Sequence, residues 1–123
     1  MSTLMKNDKT IAGLVESNPI VEETSGSGTS GASFSAKRVG NLVTVWLTAT
    51  QTITRGQDVI FGYLPVRFRP PISVVCTINN ASGNLDNDSL SAGVITSNGE
   101  IRGYSYTELY TGTTLATVTY IVE

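Results

Sequence analysis

Residues 42–50 read LVTVWLTAT, and this stretch indicates the fold class because its apolar residues recur at every second position. In an extended chain, one side carries Val43, Val45, Leu47 and Ala49, and the other carries Leu42, Thr44, Trp46 and Thr48. Such alternation is typical of a β-strand with one face in a hydrophobic core. We therefore predict a strand that buries its Val43 side.

Similar short runs, separated by Gly, Pro, Asn and Asp, continue along the chain. They predict strands near residues 33–39, 42–50, 57–64, 72–79, 89–96, 100–107 and 113–122. The predicted core side chains are Ile72, Val74, Cys76 and Ile78 in one strand, and Ala116, Val118, Tyr120 and Val122 in the last. Short strands between regular turns are typical of a sandwich or barrel. We predict an all-β, antiparallel, jelly-roll-like β-sandwich of about seven to eight strands.

Asn98-Gly99 lies between two alternating runs and predicts a hairpin with a two-residue loop, since both positions favour positive φ. That loop would place Thr96 opposite Ile101, Ile95 opposite Arg102, Val94 opposite Gly103 and Gly93 opposite Tyr104. The predicted core side of the hairpin is then Leu90, Ala92, Val94 and Ile101, and the other side carries Ile95, Arg102, Tyr104 and Tyr106.

The N-terminal part of the chain differs in composition from the rest. Ile11, Leu14 and Val15 have helical spacing over barely two turns, and Asn18-Pro19 interrupts whatever precedes it. Residues 25–31 read SGSGTSG, the composition of a flexible linker. We expect residues 1–31 to be an arm and linker and residues 32–123 to be the β-sandwich domain. The arm is either loose or a stem that joins the domain to a larger chain.

The composition excludes several classes of function. Charged residues make up 15% of the 123 residues and the formal net charge is -2, so the basic cluster typical of nucleic-acid binding is missing. The chain has no His, which removes the commonest general base and metal ligand, and its single cysteine cannot form an internal disulfide. The apolar stretch Ile11–Val15 is too short for a membrane span. We expect a soluble, non-catalytic protein without a cofactor, made in a reducing cytoplasm.

Three candidate sites of chemistry are weak. Asn84, Asp86 and Asp88 have calcium-loop spacing, but Ser89 and Ile95 stand where such a loop needs Gly and Glu, which favours an ordinary turn. Cys76 lies in an apolar row, and we expect a buried, unreactive thiol. The acids that could form a glycosidase pair are Glu100, Glu108, Asp58, Asp86 and Asp88, and no motif singles out two of them.

Several outward faces are unusually apolar, namely Trp46 with Leu42, Leu115 with Ile121, and Tyr104 with Tyr106. Exposed apolar patches usually mark an interface, so we expect a homotrimer with contacts around Leu115, Ile121 and Trp46. Aromatic rings also stack on sugars, and the guanidinium is a planar donor. The candidate saccharide-binding residues are Arg102, Tyr104, Tyr106, Tyr110 and Trp46; the alternative is that they line a subunit interface.

Residues 61–71, FGYLPVRFRPP, resemble the Gly-x-Leu-Pro…Arg-Pro turn of C-terminal domains in bacteriophage tail fibre, baseplate and receptor-binding proteins. Residues 92–95 and 98–101, AGVI and NGEI, are similar to the Gly-x-Ile…Asp/Asn-Gly-x-Ile hairpin of those domains. Residues 20–23 with the following Gly/Ser stretch are similar to their entry segment, so the resemblance covers residues 20–123. The short N-terminus departs from full-length tail proteins.

This resemblance implies a trimeric β-sandwich in the phage virion, made in the host cytoplasm, that contacts saccharide on the bacterial surface and neighbouring tail or baseplate proteins. It assigns a role to no individual residue. The leading expectation is a host-recognition domain that binds carbohydrate without cleaving it. The alternatives are a structural trimerising or adaptor module of a tail or baseplate, and a capsid-decoration or lectin-like domain.

Overall fold

The computed structural model describes residues 20–29, 31–51, 53, 56–79, 90–104 and 114–122. Within them lie a short 3-10 helix, Val66–Phe68, and eight strands: β1 (Val21–Ser27), β2 (Ala32–Val39), β3 (Leu42–Ala49), β4 (Asp58–Tyr63), β5 (Val74–Asn79), β6 (Leu90–Ile95), β7 (Glu100–Tyr104) and β8 (Thr114–Ile121). A first sheet has the order β1-β2-β3-β8 and a second sheet the order β4-β7-β6-β5, with antiparallel pairs throughout. The predicted antiparallel β-sandwich is confirmed.

The core lies between the two sheets, and β3 contributes the side predicted for it. Val43, Val45 and Leu47 are all 0% exposed. The second sheet covers them with inward side chains that include Phe61, Ile78, Ile95 and Ile101. Apolar burial of this kind contributes about 1.5–3 kcal/mol for each large side chain, so these contacts are the main source of stability.

The last strand, β8, buries the predicted row Ala116, Val118 and Tyr120, and Val122 just after the strand is also buried. Leu115 was expected on the outer face, and this was wrong because it is 0% exposed. The register shifts there: Leu47 lies opposite Ala116, whereas Thr48 lies opposite Thr114. Leu115 is therefore the extra residue of a β-bulge, which redirects its side chain.

In β5, the predicted inward row holds for three of its four members. Ile78 is buried, and Val74 and Cys76 are partly buried against the core. Ile72 was assigned to the same row, but it is 73% exposed because the strand begins only at Val74, after the two prolines.

The hairpin between β6 and β7 is at the predicted place with a different loop. The Thr96 N–H donates to the Glu100 oxygen, and the Gly99 N–H donates to the Thr96 oxygen, both at 2.9 Å, so residues 97–99 form a three-residue loop. Gly99 has φ 93°, the left-handed conformation that such a loop requires.

The extra loop residue makes the predicted pairing wrong by one position. Ile95 lies opposite Ile101, and Gly93 lies opposite Gly103. Ile95 is consequently buried, while Ala92 is exposed and Val94 half-buried, the reverse of the predicted facing of β6. The facing predicted for β7 is correct, since Ile101 is buried and Arg102 and Tyr104 point outward.

Strand β1 was not predicted, because residues 25–31 have the composition of a flexible linker. Instead, Ser25–Ser27 continue a ladder with β2, and small residues are needed here because the first sheet passes close to the second. A Cβ on Gly26 would meet the Phe34 ring at 2.8 Å, and a Cβ on Gly28 would overlap the Ile60 carbonyl oxygen. Gly26 therefore leaves room for the ring of its cross-strand partner Phe34, and Gly28 allows close approach to the β4 backbone.

Thr29 connects the two sheets on this flank of the sandwich. Its backbone N–H donates to the Ile60 oxygen at 2.8 Å, and its Oγ1 accepts from the Ile60 N–H at 3.0 Å. Nearby, Arg67 Nε lies 3.0 Å from a carboxylate oxygen of Glu22. We call this side of the molecule the β1–β4 flank, and the opposite side, where β5 passes beside β8, the β5–β8 flank.

The segment 61–71, which carries the resemblance, closes one end of the sandwich. Leu64 and Phe68 are buried, and the Leu64 N–H donates to the Gly99 oxygen at 2.8 Å. Tyr120 Oη donates to the Phe68 oxygen, and the buried guanidinium of Arg38 donates to the Arg67 oxygen at 2.5 Å. The motif is thus a packed structural turn.

Candidate functional site

The structure divides the five predicted saccharide-binding residues between two surfaces. Arg102 and Tyr104 lie on the outer face of β7 in the second sheet, with Tyr104 39% exposed. Trp46 lies on the outer face of β3 in the first sheet, so it does not join them. Tyr106 and Tyr110 lie outside the described residues.

The outer face of the second sheet places polar groups beside an apolar floor. Tyr104 lies between Asp58 of β4 and Ala92 of β6, because each is its direct partner across the ladder. Arg102 likewise lies between Ile60 and Val94. The side chains form a depression of about 360 Å³ lined by Asp58, Val75, Ala92, Val94, Arg102 and Tyr104, with the backbone of Gly93 and Gly103 between them.

The two glycines between these side chains face the core side of the sheet. Gly93 and Gly103 are cross-strand partners, and a Cβ on either would lie 2.9–3.0 Å from the terminal methyl of Ile78. The bare backbone therefore accommodates Ile78 from the core side. We name this site the β7 depression.

Electrostatically, the β7 depression carries both signs of charge. Arg102 Nη1 lies 3.5 Å from the Glu100 carboxylate, and the side chains are 56% and 28% exposed. Tyr63 Oη also donates to Glu100, at 3.4 Å. Since exposed ion pairs contribute little to stability, Arg102 can turn toward a ligand at small cost.

Sequence reasoning missed Asp58 and Val75 as members of this surface. Asp58 reaches it because β4 pairs with β7, and Val75 because β5 pairs with β6. Alternation in the predicted strands 57–64 and 72–79 gives the faces of these residues. It does not give the pairing of β4 with β7, which are far apart in the chain.

The outer face of the first sheet is different, since it is nearly free of charge. Its charged side chains among the described residues are Glu23 and Lys37, which are direct cross-strand partners. Ser and Thr occupy most other outward positions, and the Thr44 and Thr119 hydroxyls lie 3.3 Å apart. Trp46 lies beside a groove of about 470 Å³ that runs along Ser35, Lys37 and Glu23. The expected contact of Leu115 on this face is excluded by its burial.

The other candidate sites give little chemistry. Cys76 is free and partly buried, and burial raises the pKa of its thiol above the ordinary value, so thiolate formation is disfavoured. Asp58 and Glu100 lie four residues apart along the β4–β7 ladder, roughly 13 Å, which exceeds the spacing of about 5–10 Å in glycosidases. Asn84, Asp86, Asp88 and Glu108 lie outside the described residues.

Within the described ranges, no group of three or more His, Cys, Asp or Glu side chains could hold a metal ion.

No helix among the described residues is long and apolar enough to cross a membrane.

Comparison with known protein families found no match, and comparison with curated proteins found none either.

Proposed function

We propose that this chain is a non-catalytic host-recognition domain of a phage or prophage tail that binds bacterial surface carbohydrate as a homotrimer. The observation that supports binding is the β7 depression, which combines an aromatic ring, a planar cation and a carboxylate around an apolar floor. The assignment to a phage tail depends on the sequence resemblance of residues 61–71, 92–95 and 98–101.

The chemistry of the β7 depression suits a sugar. Pyranose rings have apolar faces edged by hydroxyls, and Tyr104 with Val75 and Val94 offers apolar contact. Arg102 donates hydrogen bonds, whereas the exposed carboxylate of Asp58 accepts them, so hydroxyls find both kinds of partner. The backbone of β4, β7 and β6 is already ordered in ladders, which lowers the entropic cost of binding.

Glycan-array binding of the intact protein tests the proposal. Tyr104→Ala and Arg102→Ala should each weaken binding about 5- to 30-fold, the range for truncating an interface hot spot. Tyr63→Ala and Lys37→Ala are matched controls, because they remove an exposed ring and a half-buried cation that do not line the depression. If the control variants lose as much glycan affinity as Tyr104→Ala and Arg102→Ala, the β7 depression is not the binding site. Unchanged glycan affinity in Tyr104→Ala and Arg102→Ala would lead to the same conclusion.

The trimer is tested separately by light scattering coupled to size exclusion, which should give about three times 13.0 kDa. A monomer at micromolar concentration would contradict the proposed assembly. Dissociation of the trimer by Arg102→Ala or Tyr104→Ala would instead assign these residues to a subunit interface.

A second candidate is a purely structural adaptor of a tail or baseplate. The observation that favours it is the outer face of the first sheet, where Glu23 and Lys37 are direct cross-strand partners and Trp46 lies between the uncharged Ser35 and Thr117. Depletion of charge around an aromatic residue is typical of interface cores. This candidate predicts a trimer that Trp46→Ala weakens and that binds no glycan.

A further inference from the structure

One end of the first sheet carries a continuous row of exposed apolar side chains. Val21, Val39, Leu42 and Ile121 are successive cross-strand partners, so each of the four strands contributes one member. Their exposed fractions are 54%, 36%, 47% and 68%, respectively. We call these four residues the apolar row.

The size of the apolar row limits what can cover it. Four strands make it about 19 Å long, and one residue of each strand makes it about 7 Å wide. The next row along the sheet is polar, consisting of Glu23, Lys37, Thr44 and Thr119. A stable protein partner needs about 800 Å² on each side, several times this footprint. The row therefore fits a single short segment better than a second folded copy.

The chain itself supplies a segment at this end of the sheet. Ile20, 69% exposed, immediately precedes Val21, and its oxygen accepts a hydrogen bond from the Gly40 N–H at 3.2 Å. Residues 1–19, outside the described ranges, thus lead directly to the apolar row. Among them, Ile11, Leu14 and Val15 recur at the spacing of one apolar face.

The distances are compatible with intramolecular contact. From Val15 to Ile20 an extended chain spans up to about 17 Å. From Val21 to Ile121 the row spans three inter-strand spacings, about 14 Å. Every member of the row is therefore within reach of Ile11, Leu14 and Val15 of the same chain.

We propose that the apolar row binds residues 11–15 of its own chain, with Ile11, Leu14 and Val15 against Val39, Leu42 and Ile121. The contact would remove the row from water and fix the direction in which the N-terminal segment leaves the sandwich. The rows around Trp46 stay accessible to other partners.

Paramagnetic broadening in methyl NMR spectra tests the contact in the full-length chain. A spin label on Ala12→Cys, in a Cys76→Ser background, should broaden the methyl signals of Val39, Leu42 and Ile121. The control is the methyl signals of two exposed residues, Ile72 just before β5 and Val75 within it, which should stay sharp. Adding Leu14→Asp should restore the row signals severalfold toward their unlabelled intensity.

A mixed sample distinguishes the occupants. If labelled chains of natural isotope abundance broaden the row signals of isotope-enriched unlabelled chains, the segment comes from a second copy and the proposal is wrong. Sharp row signals in both samples would also overturn it. With native Cys76 retained, Leu14→Asp should raise the fluorescence of a hydrophobic dye severalfold, and Ile121→Thr should reverse much of that rise. No rise would contradict the proposal.

Discussion

The two flanks of the sandwich are held by different kinds of contact. On the β1–β4 flank, two hydrogen bonds join Thr29 to Ile60, and glycines allow the backbones to approach. On the β5–β8 flank, no hydrogen bond among the described residues joins the two strands, and inward side chains such as Ile78 and Val118 fill the space. A flank held by fixed backbone groups tolerates added volume poorly, whereas packed side chains adjust their rotamers.

The largest effect should follow from Gly28→Ala. A Cβ at this position would overlap the Ile60 carbonyl oxygen, a backbone atom that also accepts the Thr29 hydrogen bond. The β1–β4 flank must then separate, and we expect a loss of about 3 kcal/mol in the free energy of unfolding, measured in urea.

Gly40→Ala is the matched control for that substitution. Gly40 has φ 62° and no atom within 4 Å of an added Cβ, so only backbone strain of about 1 kcal/mol is expected. If Gly28→Ala costs no more than Gly40→Ala, the β1–β4 flank adjusts freely and the contrast between the flanks is wrong.

The next largest effect concerns Tyr120 of β8, whose hydroxyl binds the closing turn at Phe68. Tyr120→Phe leaves a buried carbonyl without its donor and should cost about 1–2 kcal/mol near neutral pH. Burial raises the pKa of Tyr120 above the ordinary value of about 10. The contribution of the Tyr120 hydroxyl to the free energy of unfolding should therefore fall as pH rises above about 10, because this hydroxyl ionises first in the unfolded chain.

Urea unfolding of both proteins from about pH 8 to about pH 11 measures this difference. The gap between the native chain and Tyr120→Phe should narrow as the pH rises. Tyr63→Phe, on an exposed ring, is the control for removing a tyrosine hydroxyl. A gap that stays constant would mean that the Tyr120 hydroxyl ionises equally in both states.

A smaller effect is expected for Thr29→Val, which keeps the backbone hydrogen bond of the β1–β4 flank and removes the side-chain one. Because the site is exposed and water can replace the lost acceptor, we expect a cost of about 0.5–1 kcal/mol in chemical unfolding. Thr29→Ser retains the hydroxyl and should be close to native. A serine variant as unstable as the valine variant would assign the effect to the methyl group.

The last prediction concerns the rate at which the Cys76 thiol is alkylated, which probes the structure without a change in stability. The Cys76 thiol is partly buried against the core and its pKa is raised by burial, so an alkylating reagent should modify it slowly in the native protein and quickly in urea. The double variant Cys76→Ala, Val75→Cys carries a thiol at the 77% exposed neighbouring position and should react quickly when native. Faster native modification of Cys76 than of the thiol at position 75 would mean that the facing of β5 is inverted.

The sequence was sufficient for the parts of the fold that depend on alternation. Strand β3 and most of β8 followed from period-two patterns, because a strand with one buried face repeats every second residue. Leu115 was misplaced because it is a bulge residue, and Ile95 because one extra loop residue shifts the pairing of β6 with β7 by one position. Neither the bulge residue nor the extra loop residue changes the composition enough to be recognised from one sequence.

The candidate site was predictable only in part, for a related reason. Arg102 and Tyr104 share a face within one strand, which alternation gives. Asp58 and Val75 join them through pairing between distant strands, and Trp46 separates from them because β3 belongs to the other sheet. Sheet membership depends on long-range contacts that local patterns do not encode.

The two hydrogen bonds of Thr29 join the first and second sheets on one flank, so within the described residues the sandwich is close to a barrel with a slit along the β5–β8 flank. In such a barrel, opening fluctuations concentrate at the slit, because a closed edge must break backbone bonds before it moves. Amide protons of β5 and β8 should therefore exchange with solvent deuterium sooner than those of β2 and β3. The slit is also where solvent first reaches the Val118 and Ile78 side of the core.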